Sequence, residues 1–349
     1  MKLIVQIPCY NEEATLRQTV ADIPRAIDGV EAVEILIVDD GSSDRTVPLA
    51  LQIGVDHIVQ HKNNKGLARA FRTGIDACLS LGADIIVNTD GDNQYAGRDI
   101  AKLIRPILDG EADIVVGDRQ THAIAHFSAL KKRLQNLGSA AVRLLSGTEV
   151  PDTVSGFRAL SREAAMQINI VSPFSYTIEM LIQAGRKRMA VAAVPIETNA
   201  PTRESRLFKS VPGFVQRSLA TMGRMYSMYQ PLKTFFLIGG ALSLIGLLPI
   251  VRFLYFYLQN DGAGHVQSLV LGGVLLVIGL TTFLIGLLAD LIGFNRQLIE
   301  MTLERVRRIE LEGAAGHKSR EGALAQPTGA TTDSPPHADI EHLMRGWGG

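Results

Sequence analysis

Short apolar runs and stretches of helical period alternate along the first 120 residues. Ile4 to Ile7 reads as a strand, and beyond Asn11-Glu12-Glu13 the apolar residues Leu16, Val20, Ile23 and Ile27 recur on one helix face, with Asn11 as the natural N-cap. Val33 to Val38 predicts a second strand, followed by the turn Asp39 to Asp44, a helix to about Ile53 and a short strand around Ile58. The pattern then repeats with a helix from Gly66 through Cys78, a buried strand Ile85 to Val87, a helix Ile100 to Leu108 and a strand Asp113 to Gly117. Such an order implies an α/β fold, a mostly parallel sheet with helices on both faces.

The pattern changes after Lys209. From Val211 through Tyr229, Phe214, Val215, Met222, Met225, Tyr226 and Tyr229 share one helical face and Arg217, Thr221 and Arg224 another, which fits a helix lying in a membrane surface or packed on the preceding domain. Thr234 to Val251 is then 18 residues without a charge and Leu269 to Ala289 is 21, each long enough to cross a bilayer. The expected division is a catalytic domain over 1–208, an amphipathic helix over 209–232, a two-helix hairpin over 233–295 with spans at about 234–257 and 269–292, a polar helix over 296–312 and a disordered tail over 313–349. The loop Leu258 to Ser268 has no Lys or Arg, whereas Arg203 to Lys233 carries six basic residues against one acidic. That asymmetry puts both ends on the cytoplasmic face, in a multi-pass protein of the cell membrane. Arg252 and Asp290 fall at span ends, where they snorkel. Gly239, Gly240, Ala241, Gly272, Gly273 and Gly279 allow close helix packing, within the hairpin or between protomers of a homo-oligomer.

In an open α/β sheet, ligands bind at the carboxyl ends of the strands. The central strand ends in Asn88-Thr89-Asp90-Gly91-Asp92-Asn93-Gln94, which places hard oxygen ligands at i, i+2 and i+4, a set suited to Mg²⁺ or Mn²⁺ holding a diphosphate. Pro8-Cys9-Tyr10-Asn11-Glu12, Asp39-Asp40-Gly41-Ser42 and Gly117-Asp118-Arg119 close three other strands on the same rim. An aromatic ring, carboxylates and a metal are the parts of a nucleotide-sugar site. No Gly-x-Gly-x-x-Gly follows the first strand, which disfavours a Rossmann dinucleotide site.

Composition adds little. The chain has 349 residues, 46% hydrophobic, with 35 basic residues balanced by 35 acidic ones, so net charge points to no nucleic-acid partner. Cys9 and Cys78 are too few for a disulfide framework, which suits a reducing compartment.

With these motifs in place, the chain resembles the family 2 glycosyltransferases of GT-A fold, and among them the dolichyl- and polyprenyl-phosphate mannose and glucose synthases. The resemblance rests on Ile7-Pro-x-Tyr-Asn-Glu12, Val38-Asp-Asp-Gly-Ser-Ser-Asp44, Lys65-Gly66, Asp90-Gly-Asp-Asn-Gln94, Gly117-Asp-Arg119 and Asp152-Thr-Val-Ser-Gly-Phe-Arg158, in order over about residues 1–230. It implies that Pro8, Tyr10, Glu12, Asp39, Asp40 and Lys65 meet the nucleoside. It places Asp90, Gly91 and Asp92 at the sugar diphosphate, and Asp90, Asp92 and Gln94 at a divalent metal. Arg119, Lys132, Arg133, Arg203 and Arg206 would surround an acceptor phosphate, with Arg158 as a further cation or a strand-edge charge. Where these synthases usually carry Gly-x-Ser-Lys, this chain has Arg203-Glu204-Ser205-Arg206, so an arginine replaces the lysine. Asp152, with Asp92 and Arg119, is a candidate for the chemistry: as a base, as the residue that orients a cation, or as an ordinary loop carboxylate.

The expectation is an inverting, metal-dependent transfer of one sugar from a UDP- or GDP-sugar to a polyprenyl phosphate. A processive polysaccharide synthase would carry a Gln-x-x-Arg-Trp motif, absent here, where the single Trp347 lies in the tail. A catalytically silent nucleotide-sugar-binding subunit would have no use for the Asp90/Asp92/Gln94 set.

Overall fold

The computed structural model describes residues 1–120, 139–171 except 141 and 144, 176–199, 226–259 and 265–324, with 220, 223 and 224, and side chains as far as Gly313. The elements are β1 (Lys2–Cys9), α1 (Leu16–Asp22), β2 (Ala32–Asp39), α2 (Thr46–Gln52), β3 (His57–Gln60), α3 (Leu67–Ser80), β4 (Ile85–Asn88), α4 (Ile100–Leu108) and β5 (Ile114–Asp118). They continue with β6 (Arg158–Ser161), α5 (Arg162–Gln167), α6 (Tyr176–Arg186), β7 (Val191–Pro195), α7 (Pro231–Leu258) and α8 (Val266–Leu324).

Seven strands form one sheet in the order β3-β2-β1-β4-β6-β5-β7. All neighbours are parallel except β6, which runs antiparallel to both β4 and β5. Side chains alternate across the pleat. Leu3, Val5 and Ile7 of β1, Ile35 and Ile37 of β2, and Ile85 and Val87 of β4 share one core with Leu16 and Val20 of α1, Ala50 of α2 and Ile100 and Leu103 of α4. The opposite face is covered by α3, α5 and α6. There Gly74 of α3 gives Gln6 room, since a Cβ at that position would overlap the Gln6 amide.

Two local expectations are corrected. Helix α1 stops at Asp22, because Pro24 forces Ile23 into extended backbone and Ile27 packs from the following loop. Its N-cap is Thr15; Asn11 instead adopts a left-handed conformation, φ 56°, that its short amide side chain tolerates.

Helices α7 and α8 are both long and apolar enough to cross a membrane. They meet through glycines: a Cβ on Gly239 would lie 2.7 Å from the Gly279 carbonyl oxygen, and one on Gly246 would lie 3.0 Å from that of Gly272. Gly240 and Gly273 face open space. The second helix does not pause at the end of its apolar stretch but continues unbroken to Leu324, past the expected boundary near Glu312. Most of the expected amphipathic helix lies outside the described residues; its end, residues 226–229, is helical.

Candidate active site

The turns after β1 and β2 are laced together. The Asn11 amide donates to the Ser42 hydroxyl at 2.8 Å, the Asn11 side-chain oxygen accepts from Ser43 N at 2.8 Å, and Glu12 N donates to the Thr46 hydroxyl at 2.9 Å. Asp44, just before α2, accepts from the backbone N and the hydroxyl of Thr46. Partial burial opposes its charge, yet bonds from the Thr46 hydroxyl and backbone amides hold its carboxyl below the usual range. Tyr10 is 41% exposed at the rim. Pro8 is buried within β1, paired with Val38.

Both carboxylates of the second turn are turned inward. Asp39 accepts from Ser42 N, and Asp40, 3% exposed, accepts from Lys65 N at 2.9 Å, Gly66 N at 2.8 Å and the His61 ring at 2.7 Å. The geometry therefore gives Asp40 a role the sequence did not suggest, holding the Lys65–Gly66 turn at the start of α3, while the Lys65 side chain remains exposed. His61, whose other nitrogen meets the Thr73 hydroxyl, carries no sequence signal beyond being a polar residue directly after a strand.

The Asp90–Gln94 turn is supported from three sides. The Gly91 carbonyl accepts from the hydroxyls of Thr15 at 2.7 Å and Thr19 at 3.1 Å, Gln94 N donates to Asp92 at 3.2 Å, and Asn199 ties to the backbone of Asn93 and Gln94. Gly156 comes up against Asp90: a Cβ there would sit 3.1 Å from both Asp90 carboxylate oxygens and 3.0 Å from the Tyr176 hydroxyl. Asn88 anchors this floor, donating to the Gly156 carbonyl at 2.8 Å and to the Tyr176 hydroxyl at 3.1 Å. Tyr95, stacked on Phe157, accepts from Gly156 N at 3.0 Å. Burial pushes the Tyr95 phenol up to about 12, reinforced by Asp90 against the opposing Arg119, and burial with Asp90 raises Tyr176 well above its ordinary value.

Because β6 is antiparallel, its beginning lies at the same rim, and the loop Asp152–Phe157 enters the site beside β5. Arg119 grips Asp152 with its planar fork, Nε at 2.6 Å from one carboxylate oxygen and Nη2 at 3.0 Å from the other. Burial works against the Arg119 charge, but Tyr95, Asp152 and Asp90 outweigh it and hold the guanidinium protonated. Both carboxylate oxygens of Asp152 are thereby engaged by Arg119. Arg158 is not a strand-edge charge. It is fully buried in the middle of the sheet and donates to the carbonyls of Ser155, Thr177 and Thr153 at 2.8–2.9 Å, fastening the loop to α6, while burial lowers its guanidinium to about 10. Lys132, Arg133, Arg203 and Arg206 lie outside the described residues.

The profile of glycosyl transferase family 2 matches residues 4–168. A UDP-N-acetylglucosamine–dolichyl-phosphate N-acetylglucosaminyltransferase of Methanococcus voltae is 32% identical over 213 residues, covering 55% of this chain and 83% of the relative. The chain is a family 2 glycosyltransferase. A dolichyl-phosphate hexose transferase of Haloferax volcanii is 31% identical, with 59% of this chain and 86% of the relative covered. In fold, the glycosyltransferase is similar to glucosyl-3-phosphoglycerate synthase of Mycobacterium tuberculosis, crystallised with Mn²⁺, UDP-glucose and phosphoglyceric acid: TM-score 0.52, 24% identity, covering 65% of this chain and 80% of that one. The sheet is thus of GT-A type and the activity that of a hexosyltransferase.

The donor set of the glycosyltransferase fits a divalent cation. Among the described residues no three His, Cys, Asp or Glu side chains gather into a closed metal site, and half-buried Asp90, Asp92 and Gln94 supply oxygens only. Two carboxylates with positions left for phosphate and water are what Mg²⁺ and Mn²⁺ take in nucleotide sites. Tyr95, Tyr176, Asn88 and Gly156, which bond to one another beside Asp90, escaped sequence reasoning because they are ordinary residues until the fold brings them together.

Proposed function

We propose that this glycosyltransferase moves a single hexose from a UDP- or GDP-sugar to a polyprenyl phosphate, inverting the anomeric carbon. The observation that carries this reading is the Asp90–Asp92 turn facing the Arg119–Asp152 pair on one rim, in a chain that also has two membrane-length helices. The names of the relatives supply the acceptor class: their acceptor is dolichyl phosphate. In this reading Tyr10, Pro8, Glu12, Asp39, Asp40 and Lys65 shape the nucleoside pocket, and Asp90, Gly91 and Asp92 meet the sugar diphosphate. Asp90, Asp92 and Gln94 would hold Mg²⁺ or Mn²⁺, which when bound offsets charge on the departing diphosphate. The acceptor phosphate is already an anion near neutral pH. The protein's part is then alignment for in-line attack on C1, with Arg119, kept cationic and aimed by Asp152, meeting the phosphate together with Lys132, Arg133, Arg203 and Arg206. The basic flanks of the hairpin support a cytoplasmic orientation for this rim by the positive-inside rule.

Membranes containing the full chain, incubated with radiolabelled UDP- and GDP-sugars and polyprenyl phosphate, test the reading. One sugar per lipid is expected, lost in EDTA and in Asp92→Asn. A polymer, no product, or full activity in EDTA overturns it.

A further inference from the structure

Helix α8 does more than span. Beyond its apolar stretch it lies along the catalytic domain and is fastened there at separate points. Near the membrane end, the Arg296 side chain lies over the Tyr229 ring at 4.3 Å, donates to its hydroxyl and pairs with Glu300 at 2.8 Å. Tyr229 itself packs against the cluster to which α6 contributes Ile178, Leu181 and Ile182, and Lys187, just past the end of α6, reaches Glu300 at 3.4 Å. About 10 Å further along α8, at 1.5 Å per residue, Arg307 is buried against the catalytic domain and donates to the Met166 carbonyl at 3.0 Å and to Asp76 at 3.1 Å. A buried guanidinium with two partners on two other helices is a fixed attachment; exposed surface pairs are worth much less.

These points connect to the site. Helix α6 begins at Tyr176, whose hydroxyl lies beside Gly156 and Asp90, and its 11 residues carry the chain about 15 Å to the Lys187–Glu300 contact. Helix α3, which bears Asp76, begins at the Gly66 turn held by Asp40 and stacks Phe71 on the Tyr176 ring at 4.1 Å. Two of the three helices that receive α8, α3 and α6, therefore begin beside the active-site floor.

We infer that the extension of α8 is a docking arm that sets the height and tilt of the site above the bilayer, with Arg307 and Glu300 as positioning residues for a substrate whose reacting group stays at the membrane surface. The inference rests on the acceptor proposed above. A head group tethered in lipid can be aligned for attack only if the site is held at a matching height, and an error of about 1 Å in such alignment costs up to a hundredfold in rate. A water-soluble acceptor diffuses to the site at any height.

The test uses the full chain in lipid nanodiscs, with Arg307→Ala, Asp76→Asn and the conservative Arg307→Lys. A single dye is placed on Glu111→Cys at the opposite end of the sheet; Cys9 and Cys78 are buried. Energy transfer from the dye to labelled lipid head groups reads the height. For Arg307→Ala and Asp76→Asn, kcat/KM for long-chain polyprenyl phosphate in the bilayer should fall about tenfold or more. Transfer to a short, water-soluble polyprenyl phosphate should stay within about twofold, the dye distribution should broaden, and Arg307→Lys should recover most of the loss. Equal loss with both acceptors would show a plain stability role and overturn the inference, as would an unchanged dye distribution. If the wild type transfers to neither acceptor, the proposed function fails, and the dye still decides the arm: a narrow distribution that broadens in Arg307→Ala supports it, and an unchanged one sinks it.

Discussion

At the scale of single residues, the site depends on groups packed behind its carboxylates. Gly156 has no side chain because Asp90 and Tyr176 occupy the space a methyl group would need. Gly156→Ala should leave the fold intact while displacing the Asp90 carboxylate, lowering kcat by about ten- to a hundredfold. Steady-state kinetics beside a thermal melt checks this, and a large drop in melting temperature would show that the glycine serves stability instead. Arg158→Leu tests the opposite assignment: three buried carbonyls would lose their donor, which costs about 3 kcal/mol or more. A thermal melt should register that loss, whereas a phosphate ligand would change acceptor KM and leave the melt alone. The carboxylates of the rim were legible because Asp-x-Asp after an apolar run is chemically unusual. Arg158 was not, because an arginine in sequence carries no mark of burial, and only the three carbonyls converging on it reveal what its charge is for.

At the scale of elements, the strands and helices of the first 118 residues were readable from period, apart from the ends of α1, since each is a run with turn residues on either side. Strands β6 and β7 were not. Arg158-Ala-Leu-Ser161 begins with a charge and is too short to show alternation, and Val191-Ala-Ala-Val-Pro195 has small residues where a buried strand shows large ones. The hairpin was readable in length but not in packing, and its glycines divide into two sets. Gly279→Ile should drive the helices apart, because its Cβ would meet the Gly239 carbonyl and Ser243, whereas Gly273→Ile enters open space. The difference should be about 1–3 kcal/mol of hairpin stability, seen as lost disulfide cross-linking between cysteines placed on the facing helices. Equal cross-linking in both variants would show that the contact is soft.

At the scale of the whole molecule, the charge asymmetry across the hairpin makes a directional prediction. In intact cells an impermeant thiol reagent should label Gln259→Cys, at the end of the first span, and should not label Glu312→Cys until the membrane is opened. The reverse pattern would turn the protein over and remove its access to cytoplasmic nucleotide sugars. The position of β6 has a different consequence, one for protein engineering. It is sewn between β4 and β5 with register Ile85↔Ser161 on one side and Ile114↔Leu160 on the other, so β4 and β5 stand about 9.6 Å apart, two strand widths. Exchanging everything beyond residue 120 for a relative's sequence, in the hope of transplanting a new acceptor preference, would therefore pull the middle strand out of the sheet. Grafts that retain Arg158–Ser161 as its own seam should give soluble protein where wholesale exchange gives aggregates, and recovery of both kinds in equal yield would mean that the two halves are more separable than the seam implies.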